Sequence, residues 1–135
     1  MGFQPESLFR IQDDRQNGVA RLALRGELDI ATAPRFEEHL TLVEQDGVGA
    51  VLLDLRDLNF VDCLGLHTFL KAKIRAAENG HRFALVGAND QVKRILDVTA
   101  IQGIFDEQEG VRLLARFTQS SSPRTSVGAE WSSDG

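Results

Sequence analysis

Residues 48–55 hold three consecutive apolar side chains, Val51-Leu52-Leu53, and this run constrains the fold more than any other feature. A strand with one wet face alternates apolar and polar residues, whereas a strand that is apolar at successive positions has both faces covered. The run is therefore placed centrally in a sheet, with parallel pairing. Helix signals flank it. Before it, Thr32-Ala33-Pro34 marks a helix start, since proline lacks only an N–H that the first turn leaves unbonded. Phe36, Leu40 and Val43 then form one apolar stripe, and Asp46-Gly47 ends the helix. After it, a second helix follows Asp62 to about Glu78, with Leu66, Phe69, Leu70, Ile74 and Ala77 expected inward and Asn79-Gly80 as its stop.

The rest of the chain continues the alternation. Residues 8–11 and 19–24 read as short strands around the turn-rich stretch 13–18, a hairpin. Residues 83–86 form another buried strand. Asn89 caps a short helix carrying Val92, Ile95 and Leu96, residues 101–105 form a short extended piece, and Asp106 caps a last helix with Leu113, Leu114 and Phe117 inward. Strand–helix alternation with short connections predicts an α/β fold.

The 135 residues suit one domain plus a tail. Six of the seven serines follow Gln119, so residues 1–117 are read as the domain and 118–135 as a flexible Ser/Gly-rich tail, with Trp131 an incidental exposed aromatic. Fifteen basic against twenty acidic residues leave a net charge of −5, which argues against a general nucleic-acid or anionic-membrane binder. The chain has no apolar run long enough to span a bilayer, and its start lacks a signal-peptide pattern, so a cytoplasmic location is expected. Cys63 is the lone cysteine, which excludes an intramolecular disulfide and a thiolate metal cluster.

Catalytic signatures are absent. The chain lacks a phosphate-binding glycine loop, a serine elbow, any core serine and any tyrosine. His39, His67 and His81 fall on different elements and read as isolated surface residues rather than a metal site. No catalytic residue, metal or cofactor is assigned. Two segments stand out instead. Arg25-Gly26-Glu27-Leu28-Asp29 mixes a glycine with three charges at a strand end, where α/β folds carry binding loops, or else serves to cap the coming helix. Residues 59–66 lead into the second helix, where Asp62 caps the first turn and Gly65 points to a close approach by a packed neighbour or a partner.

Gly26-Glu27-Leu28-Asp29 followed by Pro34, then Leu53-Asp54-Leu55, then Phe60-Val61-Asp62-x-x-Gly65-Leu66 resemble the STAS domain, and more narrowly the bacterial anti-sigma factor antagonists. The resemblance covers about residues 8–117. It implies a mixed sheet of four to five strands with about four helices, mainly on one face, and a function in binding rather than catalysis. The implied partner is an anti-sigma factor, commonly a serine kinase of the histidine-kinase ATPase fold, whose capture frees a sigma factor for transcription, as in stress responses. A weak homodimer is left open. A STAS subunit of an ABC-type lipid-transport complex and a nucleotide-binding STAS module are the competing readings.

In the family, kinase phosphorylation of the hydroxyl just before the glycine of Asp-x-x-Gly-Leu disables the antagonist. A phosphate adds about −1.5 to −2 charges and changes both the contact surface and its field. Here that position is Leu64, which has no hydroxyl, and the residue before it is Cys63. The expectation is partner binding without that switch. The alternatives are control moved to Thr68, another threonine or the tail, or a thiol switch at Cys63, for which simple packing is preferred. Helical spacing sets Leu64 with Thr68, Lys71 and Arg75 on a polar face, where it either anchors a partner or is a lone exposed leucine. Asp29, Asp62, Leu64 and Gly65, flanked by Cys63, His67 and Thr68, are the candidate partner surface.

Overall fold

The computed structural model describes residues 9–98 and 105–119. Over these residues the chain forms β1 (Arg10–Gln16), β2 (Val19–Leu28), α1 (Ala33–Gln45), β3 (Ala50–Val61), α2 (Cys63–Asn79), β4 (Arg82–Val86), α3 (Asp90–Val98) and α4 (Glu107–Thr118). The four strands lie in the order β1-β2-β3-β4. β1 pairs antiparallel with β2, and the β2–β3 and β3–β4 pairs are parallel, so the expected mixed α/β sheet is what forms.

The apolar run at Val51-Leu52-Leu53 lies in β3, inside the sheet, and Ala50 to Leu55 are all buried. One face packs against α1, α2 and α3 through Phe36, Leu40, Val43, Phe69, Ala72, Val92 and Leu96. Phe9, Phe36 and Phe69 stack edge-to-face across that layer, with centroids 6.3 and 5.9 Å apart. The other face carries α4, whose Leu113 and Phe117 bury Val19, Ala50, Leu52 and Ala84. At Gly110 a β-carbon would collide with the backbone carbonyl of Leu85, so glycine is what lets α4 lie directly on β4. At the far end of α4 the Asn17 amide donates to the carbonyls of Arg116 and Gln119, both at 2.9 Å. The first hairpin thus clasps the last helix.

Several boundaries differ from the sequence expectation. β1 runs to Gln16, because the turn is only Asn17-Gly18, both with left-handed φ (54° and 78°). β2 continues through Leu28 and β3 through Val61, so Arg25–Leu28 and Asn59–Val61 are strand rather than connecting loop. β3 gains one residue on β2 between Asp54 and Asp57 and another between Leu58 and Phe60. These bulges break the alternation that would have revealed the strand ends, and Gly26 beside them has a φ of 101°. In α2 the inward stripe is Gly65, Leu66, Thr68, Phe69, Ala72 and Ala76. Ile74 is 50% exposed and Ala77 is also outward, which corrects the stripe expected from spacing. The extended piece expected at 101–105 lies outside the described residues except for buried Phe105, and Thr118, expected to open the tail, closes α4. The rest of the tail also lies outside them.

Candidate functional site: the paired starts of α1 and α2

The parallel β2 and β3 end side by side, with Leu28 opposite Val61, and each feeds a helix. The residues after them are therefore neighbours although they lie 30 and more positions apart. After Leu28, the Asp29 carboxylate accepts from the backbone N–H of Ala31 at 3.0 Å and of Thr32 at 3.2 Å. The buried Thr32 hydroxyl accepts from the Asp29 N–H and donates to the Glu27 carbonyl, both at 2.9 Å. Asp29 thus shapes the turn into α1, its carboxylate committed to the turn's own donors.

Asp62 ties the two helix starts together. One carboxylate oxygen accepts from the Gly65 N–H at 3.0 Å and caps α2, as expected from sequence. The other accepts from the Ile30 N–H at 3.1 Å, and the Asp62 N–H donates to the Leu28 carbonyl. The close approach at Gly65 is internal: a β-carbon there would stand 2.6 Å from Val61 Cγ2 and 3.0 Å from the Leu28 carbonyl. Gly65 is a packing residue of the β2–β3–α2 junction.

These constraints fix what the site shows to solvent. Leu64 is 45% exposed and Ile30 70% exposed. Together with Ala33, Pro34, His67 and Lys71 they line an open groove of about 260 Å³ between α1 and α2. Lys71 is held at 2.9 Å by Glu37 of α1, and Arg75 one turn further on by Glu44, also at 2.9 Å, so ion pairs keep the two helices in register below the groove. Thr68 does not share the exposed polar face with Leu64. Its side chain is buried and its hydroxyl donates to the Leu64 carbonyl at 2.9 Å. Cys63 is exposed, which corrects the expectation that it packs inside. His67 is exposed.

The structure therefore brings Asp29, Asp62, Cys63, Leu64, Gly65, His67 and Thr68 into one junction and sorts them. Asp29, Asp62, Gly65 and Thr68 build it, while Cys63, Leu64 and His67 face outward. Ile30 was not singled out from sequence, and Pro34 was read only as a helix start and part of the family pattern, not as part of this surface. An isoleucine directly after Asp29, outside any apolar stripe, was the available signal. Among the described residues no group of three His, Cys, Asp or Glu side chains is arranged to hold a metal ion. His39 is not isolated, since its Nε2 lies 2.8 Å from Asp13. No helix among the described residues is long and apolar enough to cross a membrane. The junction offers two apolar side chains on a rigid, internally hydrogen-bonded frame, which suits it to holding another surface.

The sequence pattern of the STAS domain matches residues 10–114. The anti-sigma-B factor antagonist of Staphylococcus aureus is 26% identical over 105 residues, covering 78% of this chain and 97% of its own length. Among solved structures, an anti-sigma factor antagonist from Mycobacterium paratuberculosis superposes with a TM-score of 0.69 at 20% identity, over 78% of this chain and 92% of that one. The phosphorylated form of the Bacillus cell fate determinant SpoIIAA superposes with a TM-score of 0.59 at 14% identity, over 78% and 98%. These two structural likenesses are likenesses of fold.

Proposed function

This chain belongs to the STAS domain family, and from that premise we propose that it works as an anti-sigma factor antagonist, by docking rather than catalysis. Its partner in this reading is a cytoplasmic anti-sigma factor, a serine kinase of the histidine-kinase ATPase fold, and its capture releases a sigma factor to direct transcription. The curated relative that shares 26% identity over nearly its whole length supports the choice of partner class.

The observation that carries the reading is the exposed Leu64 beside Ile30 at the start of α2. Leucine at this position offers a partner an apolar anchor and offers a kinase no oxygen to modify. The antagonist is thus active whenever it is present, and a hydroxyl-based off-switch at residue 64 is missing. Docking depends on the frame beneath: Asp62 holds Ile30 and the α2 start at a fixed separation, so the partner meets a preformed surface.

The test is capture of partners from the cytoplasm of the source organism with the full chain, followed by incubation of any captured kinase with ATP. The expected result is a stable complex with an anti-sigma factor, lost in Leu64→Glu, and an intact mass without added phosphate at the α2 start. A stable complex with a transport ATPase instead, or binding unchanged in Leu64→Glu, would overturn the reading.

A further inference from the structure

α4 crosses its face of the sheet on a diagonal, from Leu85 on β4 at Gly110 to the β1–β2 turn at Asn17. Among the described residues nothing covers one corner of that face: the start of β1 and the far ends of β2 and β3. Arg10 and Arg25 stand there as direct cross-strand partners, so both side chains project from the same face. Like charges set opposite each other are unfavourable unless something lies between or over them.

The other four arginines on the strands each hold a carboxylate: Arg15 with Asp13, Arg21 and Arg56 with Asp54, and Arg82 with Glu109. Arg10 and Arg25 are exposed and form no ion pair with any described residue. In a chain with five more acidic than basic residues, two adjacent strand arginines without a carboxylate partner depart from the pairing of the other four. Both line an open hollow of about 550 Å³ together with Arg56, Glu27, Asp57 and Asn59.

The spacing selects the ligand. Neighbouring strands lie about 4.8 Å apart, so guanidinium groups on β1, β2 and β3 span roughly 10 Å. One phosphate or carboxylate reaches two of them at most. Successive acidic side chains of an extended segment reach all three: Arg10 and Arg25 each take a carboxylate in the planar fork, and Arg56, whose Nε and Nη2 already serve Asp54, offers its Nη1. Glu27 and Asp57 line the same hollow and repel carboxylates from their own side, which restricts how such a segment can lie.

We propose that this bare corner is a second docking surface, for an acidic segment of a protein partner. It is separate from the Leu64 groove and does not depend on the reading given to that groove. The test uses the full chain and a fluorescein-labelled hexaglutamate peptide, followed by fluorescence anisotropy at low ionic strength. Binding is expected, with amide shifts in nitrogen-edited NMR spectra concentrated at Arg10, Arg25 and Asn59. Affinity should fall about tenfold or more in Arg10→Glu/Arg25→Glu, and by less in Arg10→Gln/Arg25→Gln, with thermal unfolding unchanged in both. Leu64→Glu should bind the peptide like the parent, which separates this surface from the groove. Four results would overturn the proposal: no binding, shifts centred elsewhere, displacement of the peptide by inorganic phosphate at equal concentration, or self-association of the parent abolished by the double reversal. The last would make a second copy of this chain the occupant.

Discussion

The two faces of the sheet are built on different terms. The face under α1, α2 and α3 is apolar across β2, β3 and β4, with the Phe9–Phe36–Phe69 stack at its centre, and only its β1 edge carries charge, where Asp13 meets His39. The face under α4 has a small apolar patch and then turns ionic. Asp54 is 2% exposed, yet it accepts from Arg21 at 2.5 Å and from Arg56 at 2.7 Å, and Arg21 also lies over the Phe117 ring. Three helices can cover a sheet face; one cannot. Where the cover ends, the sheet closes itself with a carboxylate shared by two guanidinium groups, and beyond that, among the described residues, it stays open as an arginine corner.

If the contrast holds, damage to the apolar face costs most. Phe69→Ala should lower stability by about 4 kcal/mol, read from the urea midpoint. Gly110→Ala should cost about 3 kcal/mol on the α4 face, because the added methyl meets β4 backbone and forces α4 off the sheet. A neutral Gly110→Ala would show that α4 is not seated as described, and the comparison would break there.

Asp54→Asn should cost about 2 kcal/mol, since it removes charge-assisted bonds and leaves Arg21 and Arg56 without their counter-ion. Burial pushes the Asp54 carboxyl up, but bonds from Arg56 and Arg21 outweigh it and hold it below the ordinary carboxylate value. A carboxyl with a lowered native pKa stabilises the fold at neutral pH and loses that contribution as acid protonates it. Unfolding free energy should therefore fall as pH drops below about 4, and Asp54→Asn should flatten that part of the profile, measured by urea titration across pH.

Surface changes at the α2 start sharpen the contrast from the other side. Leu64→Glu should leave stability within about 0.5 kcal/mol of the parent while abolishing partner capture. The smallest effect is expected at Cys63. Its thiol should react with a thiol-specific dye in the native protein, and Cys63→Ser should leave the thermal midpoint unchanged.

The sequence made the parts that obey a single period legible. The α1 stripe, the buried run in β3, the Asp62, Asn89 and Asp106 caps and the Gly80 stop all follow from local rules and reappear in the structure. What stayed hidden came from relations between elements. The ends of β2 and β3 were obscured because two bulges shift which residues face inward. The inward face of α2 was misjudged by one helix row, since Ile74 and Thr68 both fit a stripe and only packing against β4 and α1 chooses between them. At the candidate site, Leu64 and Asp62 were visible as departures from and matches to a pattern. Ile30 was not, because its place beside Leu64 depends on its N–H donating to the carboxylate of Asp62, the α2 cap 32 residues away. The arginine corner was equally invisible, since cross-strand register set Arg10 against Arg25.

The Asn17 clasp on the end of α4 has a consequence for biosynthesis. Its bonds join positions 99 and 102 apart, so the hairpin made first must wait for nearly the whole domain before its turn amide finds a partner. At about 5–20 residues per second that delay on the ribosome is on the order of 5–20 seconds. Until then one side of the nascent sheet, from Val19 to Ala84, has no helix over it. That interval is when the emerging polypeptide is most open to chaperone capture or to sticking to its neighbours.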